Sequence, residues 1–466
     1  MTRVHAFTDD ALGDLDAVGL VEALRAGRVS VPEVVDAAIA RAEAVEPRLN
    51  GIAYAAFDRA RTEARAPHGG YFSGVPTFVK DNCDVAGMPT QQGADAYRAR
   101  PARQDGDFAR MFLATGVIPL GKTQLSEFGF SPSAEHARLG PVRSPWQVEH
   151  TAGASSAGSA AMVASGVVPL AHANDGGGSI RIPASVNGLV GLKPTRERLA
   201  QDVTMRQMPV KIVNDGVLTR SVRDTAAFLR ESEKVWRNLR LPPVGDLTRP
   251  GRARLRVAVV TEGVGVAATP EVTELTLKTA GALEELGHRV EPAVLDLPPS
   301  FKDDFLVYWS LLSLAILRSG RRSFGDSWDP GQLDDLTLGL ARHARRHLHR
   351  LPVAIARLRR SARWSRRFFE QYDVLLSPTL AATTPLLGHL DPSQGYDATM
   401  ERMLAWVAFT PLQNATGDPA ISLPLATTSA GLPQGMMFAA GAGREATLLE
   451  LAYELEEALP FPRIQD

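Results

Sequence analysis

Three stretches of the chain place side chains that could do chemistry together. "GVPTFVKDNCDVAGMPT" ends a short apolar run on Lys80, and "TAGASSAGSAAMVASG" sets Ser155 and Ser156 in a turn of small residues that opens a helix. "HANDGGGSIRIPAS" puts Gly176, Gly177 and Gly178 immediately before Ser179. A serine hydroxyl attacks well only if a neighbour takes its proton. Lysine can take it only when uncharged, and burial among apolar groups favours the uncharged amine. Each residue alone also has an ordinary reading. A lysine at a strand end reaches water, and Ser155 or Ser179 caps a helix. Each glycine weakens regular structure by roughly 0.5–1 kcal/mol relative to alanine, so three in a row need a reason. One reason is a tight turn. The other is backbone N–H groups laid bare around Ser179.

Taken together and in this order, the stretches resemble the amidase signature family. Lysine is followed by Gly-x-Ser-Ser-x-Gly-Ser, and Gly-Gly-Ser-Ile-Arg-x-Pro-Ala places its serine 24 residues after Ser155. "GKTQLSEFG", "GLVGLKPTRERL", "YDVLLSPT" and "FTPLQNATGDPAISLPL" read as further landmarks of that family. The likeness is dense over 70–200, thin over 240–370, and returns at 372–455. It implies a Ser–cis-Ser–Lys triad, with Ser179 as nucleophile, Ser155 as bridge after a cis Ala154–Ser155 peptide, and Lys80 as general base. It also implies an amide hydrolase working through a serine acyl-enzyme on a small or hydrophobic acyl amide.

In that setting the backbone N–H groups of Gly176, Gly177, Gly178 and Ser179 are the candidates for an oxyanion hole, each donor worth roughly 2.7–4 kcal/mol. Asp175 and Arg181 are expected to pair behind the turn and fix it. Phe128 and Phe130 are candidate substrate-pocket residues, although phenylalanines in such a place more often belong to the core. Asp81 follows Lys80, and in a strand it faces the other way. The chain departs from the family's usual "PGGSSGGS" by reading "TAGASSAGS". Gly176 stands where larger residues are more usual, which leaves room beside the turn.

The elements that must hold these residues read as α/β layers. Residues 1–70 read as helices, broken at Gly27 and restarted at Pro32 after Ser30. From about 74 to 200, short apolar runs alternate with glycine turns and helix-like stretches. "RLRVAVVTE", "TPEVTELTLKTAGALEELG" and "HRVEPAVL" form a βαβ unit. Residues 300–371 have a helical period, and "TLLELAYELEEALP" is a final amphipathic helix. The expected fold is a single amidase-signature domain over 1–466, a central mixed β-sheet covered by helices on both faces. Its parts are N-terminal helices at 1–70, a signature core at 70–200 and a helical elaboration at 300–371.

Composition bounds the rest. The chain has 466 residues, 44% hydrophobic and 22% charged, with a formal net charge of -1, so no global charge invites nucleic acid. Ten arginines and no acid lie between Arg342 and Arg367. A solvated helical face balanced by acids elsewhere accounts for them, and a membrane-surface or nucleic-acid helix is the sharper rival. The N-terminus lacks the apolar run of a secretory signal, and no stretch is long enough to span a bilayer. The lone Cys83 reads as a buried small hydrophobe in a reducing, cytoplasmic protein. No cofactor and no metal are expected. The expected partner is a small-molecule amide, with a homodimer left open. Two alternatives stand beside the amidase reading: a glutamine-hydrolysing subunit of a transfer-RNA amidotransferase, and an inactive binding module of the same fold.

Overall fold

The computed structural model describes residues 3–466. Near the N-terminus, the helix Val31–Leu49 starts on a capping box: the Ser30 hydroxyl accepts from the Glu33 amide while Glu33 reaches back to the Ser30 amide. The region read as helices only also contains a strand, β1 (Ile52–Ala55), between Val31–Leu49 and the helix Phe57–Ala64. Its four residues are mostly exposed, so the inward–outward alternation that would mark a strand is missing. β1 pairs antiparallel with β3 (Ile118–Thr123), and β3 pairs parallel with β2 (Pro76–Lys80).

The large sheet has eight strands: β4 (Leu170–Asp175), β5 (Val190–Lys193), β6 (Asn214–Thr219), β7 (Arg256–Val259), β8 (Arg289–Pro292), β9 (Val374–Pro378), β10 (Ala420–Thr427) and β11 (Pro433–Ala439). Their order is β8-β7-β9-β11-β10-β5-β6-β4. The β8-β7-β9 end is parallel and the remainder antiparallel, so the sheet is mixed, and helices cover it. β7, the helix Pro270–Glu285 and β8 are the βαβ unit expected from the sequence. One continuous core runs from Val34 and Ile39 through Phe78, Leu120 and Val163 to Leu218, Leu448 and Leu455.

The small sheet docks on the edge strand β4. The Thr77 hydroxyl donates to the Leu170 carbonyl at 3.0 Å, and the Lys80 amide donates to His172 Nδ1 at 3.2 Å. This contact sets where Lys80 ends up. The helix Ala157–Ala164, which follows the double serine, approaches the same region at a glycine. A Cβ on Gly158 would stand 2.1 Å from the Gly51 carbonyl oxygen and 2.7 Å from the Gln124 nitrogen.

The 300–371 region is three helices, Phe301–Phe324, Asp335–His347 and Leu351–Gln371, with short 3₁₀ turns between them. Arg345, Arg346, Arg360, Arg363, Arg366 and Arg367 point to solvent, while Arg350 and Arg357 pair with Asp303 and Asp304. No helix among the described residues is long and apolar enough to cross a membrane.

The Gly158 contact makes a prediction. Gly158→Ala must push the helix and the preceding serine turn away from Gln124, and overpacking of this kind costs about 1–3 kcal/mol. Chemical denaturation should show that loss. An unchanged midpoint would mean the approach is looser than described.

Candidate functional site

Lys80 sits at the C-terminal end of β2, fully buried. Its Nζ lies 2.8 Å from Ser155 Oγ, 2.7 Å from Asn174 Oδ1 and 3.4 Å from the Asn174 carbonyl oxygen. All three neighbours are neutral. Burial disfavours the ammonium and brings the Lys80 pKa down to about 7, against the more distant pull of Asp215 and Asp175. Asp81, next in sequence, faces away as strand alternation requires. Its carboxylate takes the Lys122 ammonium at 3.1 Å and the Gln91 amide at 3.0 Å.

The residues around Lys80 come from β4, where alternation puts His172 and Asn174 on the face toward β2. Because His172 Nδ1 accepts the Lys80 amide, its proton is on Nε2, which donates to Asp215 at 3.1 Å. Burial holds this imidazole below its ordinary pKa, so it is neutral. Asn174 and Asn82 exchange a pair of amide hydrogen bonds, 3.2 and 3.0 Å, which fixes Asn174 Oδ1 toward the lysine. None of His172, Asn174, Asn82 and Asp215 was singled out from sequence. The signal available for the first two was their period-two spacing in "HAND".

Ser155 follows a cis peptide after Ala154. Gly153 has φ +64°, and a Cβ there would meet Val186 at 2.8 Å, so this turn requires glycine. Neither serine has its ordinary capping role. Ser156 and Ile180 occupy the N-cap positions of the helices Ala157–Ala164 and Arg181–Asn187, without side-chain caps.

The opposite face of β4 carries Asp175. Arg181 grips it with two hydrogen bonds, Nε to Oδ2 at 2.9 Å and a terminal nitrogen to Oδ1 at 3.0 Å. Asn414 donates to Asp175 Oδ1 at 2.8 Å and to its carbonyl at 3.0 Å. Burial pushes this carboxyl up, but the Arg181 charge and these hydrogen bonds outweigh it, leaving the pKa at about 2.

Asp175 also corrects one expectation. The Gly178 amide donates to Asp175 Oδ1 at 2.7 Å, so it is engaged and does not face a substrate. The amides of Gly176, Gly177 and Ser179 have no acceptor among the described residues. Gly178 instead supplies shape: φ is +138°, and a Cβ would stand 2.4 Å from the Thr410 hydroxyl.

Ser179 is 7% exposed and forms part of a cavity wall together with Ala154 and Gly177. Lys80 and Ser155 are in direct contact, whereas no hydrogen bond joins Ser155 to Ser179. Apart from Ser131 and Lys302, the rest of the lining is apolar: Phe130, Ile182 and Val264, then Phe301, Phe305, Leu306 and Trp309 from one helix and Met400, Met403 and Leu404 from another, with Val407 just beyond it. Phe130 therefore lines the cavity, and its ring meets Trp309 edge-on. Phe128 does not line it. Its ring packs among Tyr97, Phe324 and Trp328, so the core reading holds for that residue. The room that Gly176 was expected to leave is filled, because Val213 and Trp309 lie 3.1 and 3.2 Å from where its Cβ would be. Among the described residues no group of three or more His, Cys, Asp or Glu side chains is gathered for a metal ion, and Cys83 is buried and free.

Comparison places this architecture among enzymes that hydrolyse amides. A solved structure of 6-aminohexanoate cyclic dimer hydrolase complexed with substrate superposes with a TM-score of 0.86 at 32% identity, covering 97% of this chain and 99% of that one. A bacterial aryl acylamidase of the amidase signature enzymes gives a TM-score of 0.86 at 26% identity, with 96% of each chain covered. The "Putative amidase AmiC" of Mycobacterium leprae (strain TN) is 64% identical over 466 residues, covering 100% of this chain and 99% of its own. The family model described as Amidase matches residues 33–449, and the chain belongs to the amidase signature family. It is an amidase.

The Asp175–Arg181 pair yields a stability test. Asp175→Ala strands a fully buried guanidinium, and breaking such a pair costs about 3–5 kcal/mol. Thermal unfolding should show the drop. A variant as stable as the parent would mean that Gln413 and Asn414 hold Arg181 unaided.

Proposed function

We propose that the chain hydrolyses carboxylic amides with Ser179 as nucleophile, Ser155 as proton bridge and Lys80 as base. The observation that carries this reading is the 2.8 Å contact between Ser155 Oγ and a buried lysine amine whose other acceptors are all neutral. An uncharged Nζ donates two hydrogens to the Asn174 oxygens and keeps its lone pair for the Ser155 proton. Ser179 Oγ attacks the carbonyl and passes its proton to Ser155 Oγ as the Ser155 proton moves to Lys80. The developing oxyanion is met by the free amides of Gly176, Gly177 and Ser179. Collapse expels the amine, which takes the proton back along the same path. Water then releases the acid from the Ser179 ester through the same base.

Asp175 and Arg181 touch no reacting atom in this scheme. They set the turn by holding the Gly178 amide and the following helix. The walls of phenylalanine, tryptophan, methionine and leucine fit a hydrocarbon or aryl acyl group. They suit it better than the zwitterionic head of glutamine, which disfavours the amidotransferase-subunit alternative. A similar protein is named a hydrolase of a cyclic amide dimer, which supports a small-molecule amide here as well. The single buried cysteine suits a reducing, cytoplasmic setting.

Ser179→Ala should lower kcat on a hydrophobic anilide by several orders of magnitude with unfolding unchanged, and Lys80→Met and Ser155→Ala should be nearly as damaging, because such groups fail as a unit. Turnover surviving in Ser179→Ala refutes the nucleophile. The pH profile is a separate test. The base works only when neutral, so kcat/KM should fall below about pH 7 as Lys80 takes up a proton. Asn174→Asp sets a carboxylate against Nζ, stabilises the ammonium, and should move that acid limb to higher pH by one unit or more. An acid limb that stays in place rules out Lys80 as the titrating base.

A further inference from the structure

We infer that Lys302 selects amides whose acyl chain ends in a carboxylate, an inference that rests on the Ser179 reading above. Lys302 is the one charged side chain among the described residues that line the apolar cavity. It also lines a neighbouring groove, and the two spaces share Lys302 and Val264 as common wall. A lysine at such a place usually pairs with a nearby acid, but here those acids are engaged elsewhere or out of range. On its own helical turn, Asp303 takes Arg350 at 3.3 Å, and Asp304 takes Arg357 at 3.5 Å and the Ser300 hydroxyl at 2.8 Å. Glu262 and Glu284 belong to the adjoining groove, and neither forms an ion pair with Lys302. A half-buried ammonium against apolar walls, without a counter-ion among the described residues, is a receptor for an anion that the substrate brings.

The helix Phe301–Phe324 supplies the ruler. Lys302, Phe305, Leu306 and Trp309 lie along one stripe of it, all on the cavity wall. The far edge of the Trp309 ring stands against the positions that Cβ atoms on Gly176 and Gly177 would take, beside Ser179. Lys302 is seven residues earlier, which at 1.5 Å per residue places it about 10 Å back along the axis. An extended chain covers roughly 1.2 Å per bond. A dicarboxylic acid monoamide of about eight carbons spans that axial offset, and Phe305, Leu306, Met400 and Met403 are the wall against which its methylenes would lie.

The test compares two 4-nitroanilides, of octanoic acid and of octanedioic acid with its second carboxyl free. The ratio of kcat/KM for the acidic over the neutral anilide should fall at least tenfold in Lys302→Met, chiefly through KM, be restored by Lys302→Arg, and fall further in Lys302→Glu. A ratio that does not change across these variants overturns the inference. A binding arm separates this from failure of the catalytic reading. Octanedioic acid monoamide and octanamide are titrated calorimetrically into Ser179→Ala, with and without Lys302→Met. Tighter binding of the monoamide that disappears with Lys302 supports the inference even if neither anilide turns over, a result that would count against the Ser179 mechanism alone. Equal binding of both amides, in both proteins, overturns it.

Discussion

An amine kept out of water is the constraint on which the site depends. Lys80 has no carboxylate at hydrogen-bond distance, although Asp81 follows it in sequence and Asp175 and Asp215 lie on β4 and β6 of the adjoining sheet. The arrangement diverts each acid to another cation or donor. Asp81 goes to Lys122, Asp175 to Arg181 and Asp215 to His172. An acid moved to hydrogen-bond distance of Nζ would pin the proton there, and the amine would no longer be a base near neutral pH. The network works by separation as much as by contact.

The same separation explains the two faces of β4. One face holds the lysine through Asn174 and His172, and the other holds the glycine turn through Asp175. A single strand therefore sets both the base and the loop that would carry the oxyanion donors. Small errors in its pairing with β6, or in the docking of β2 against it, would be felt at both ends. Arg181 extends this hold to Gln413 and Asn414, so a segment more than two hundred residues away in sequence braces the turn.

Much of this was legible in the sequence because the informative signals are local. Lys80 at the end of an apolar run, small residues around Ser155 and three glycines before Ser179 are features of a few consecutive residues. Alternation alone put Asp81 on the far side of β2. What escaped notice depends on partners distant in the chain. Nothing near Gly178 says that its amide is captured while those of Gly176 and Gly177 stay free, because the orientation of the Asp175 side chain decides it. Trp309 reaches the glycine turn from a helix more than a hundred residues away, so no local pattern marks it as filling the space beside Gly176. Phe128 and Phe130 are two residues apart and chemically alike. Phe128 adopts φ +48° and its ring joins the aromatic cluster of Tyr97, Phe324 and Trp328, whereas the neighbouring Phe130 ring lines the cavity. β1 was hidden because a short, mostly exposed strand leaves no apolar imprint.

The cavity is built from two parts of the chain with different duties. The lysine, both serines and the glycine turn hang on β2, β4 and their connecting loops, whereas most of the greasy lining comes from the helices Phe301–Phe324 and Tyr396–Trp406. No side chain of Phe305, Leu306, Met400, Met403 or Leu404 shares a hydrogen bond with the Lys80 cluster. Recontouring that lining would thus trade one guest molecule for another while the proton-handling groups stayed where they are, a division of labour that lets selectivity drift without dismantling reactivity.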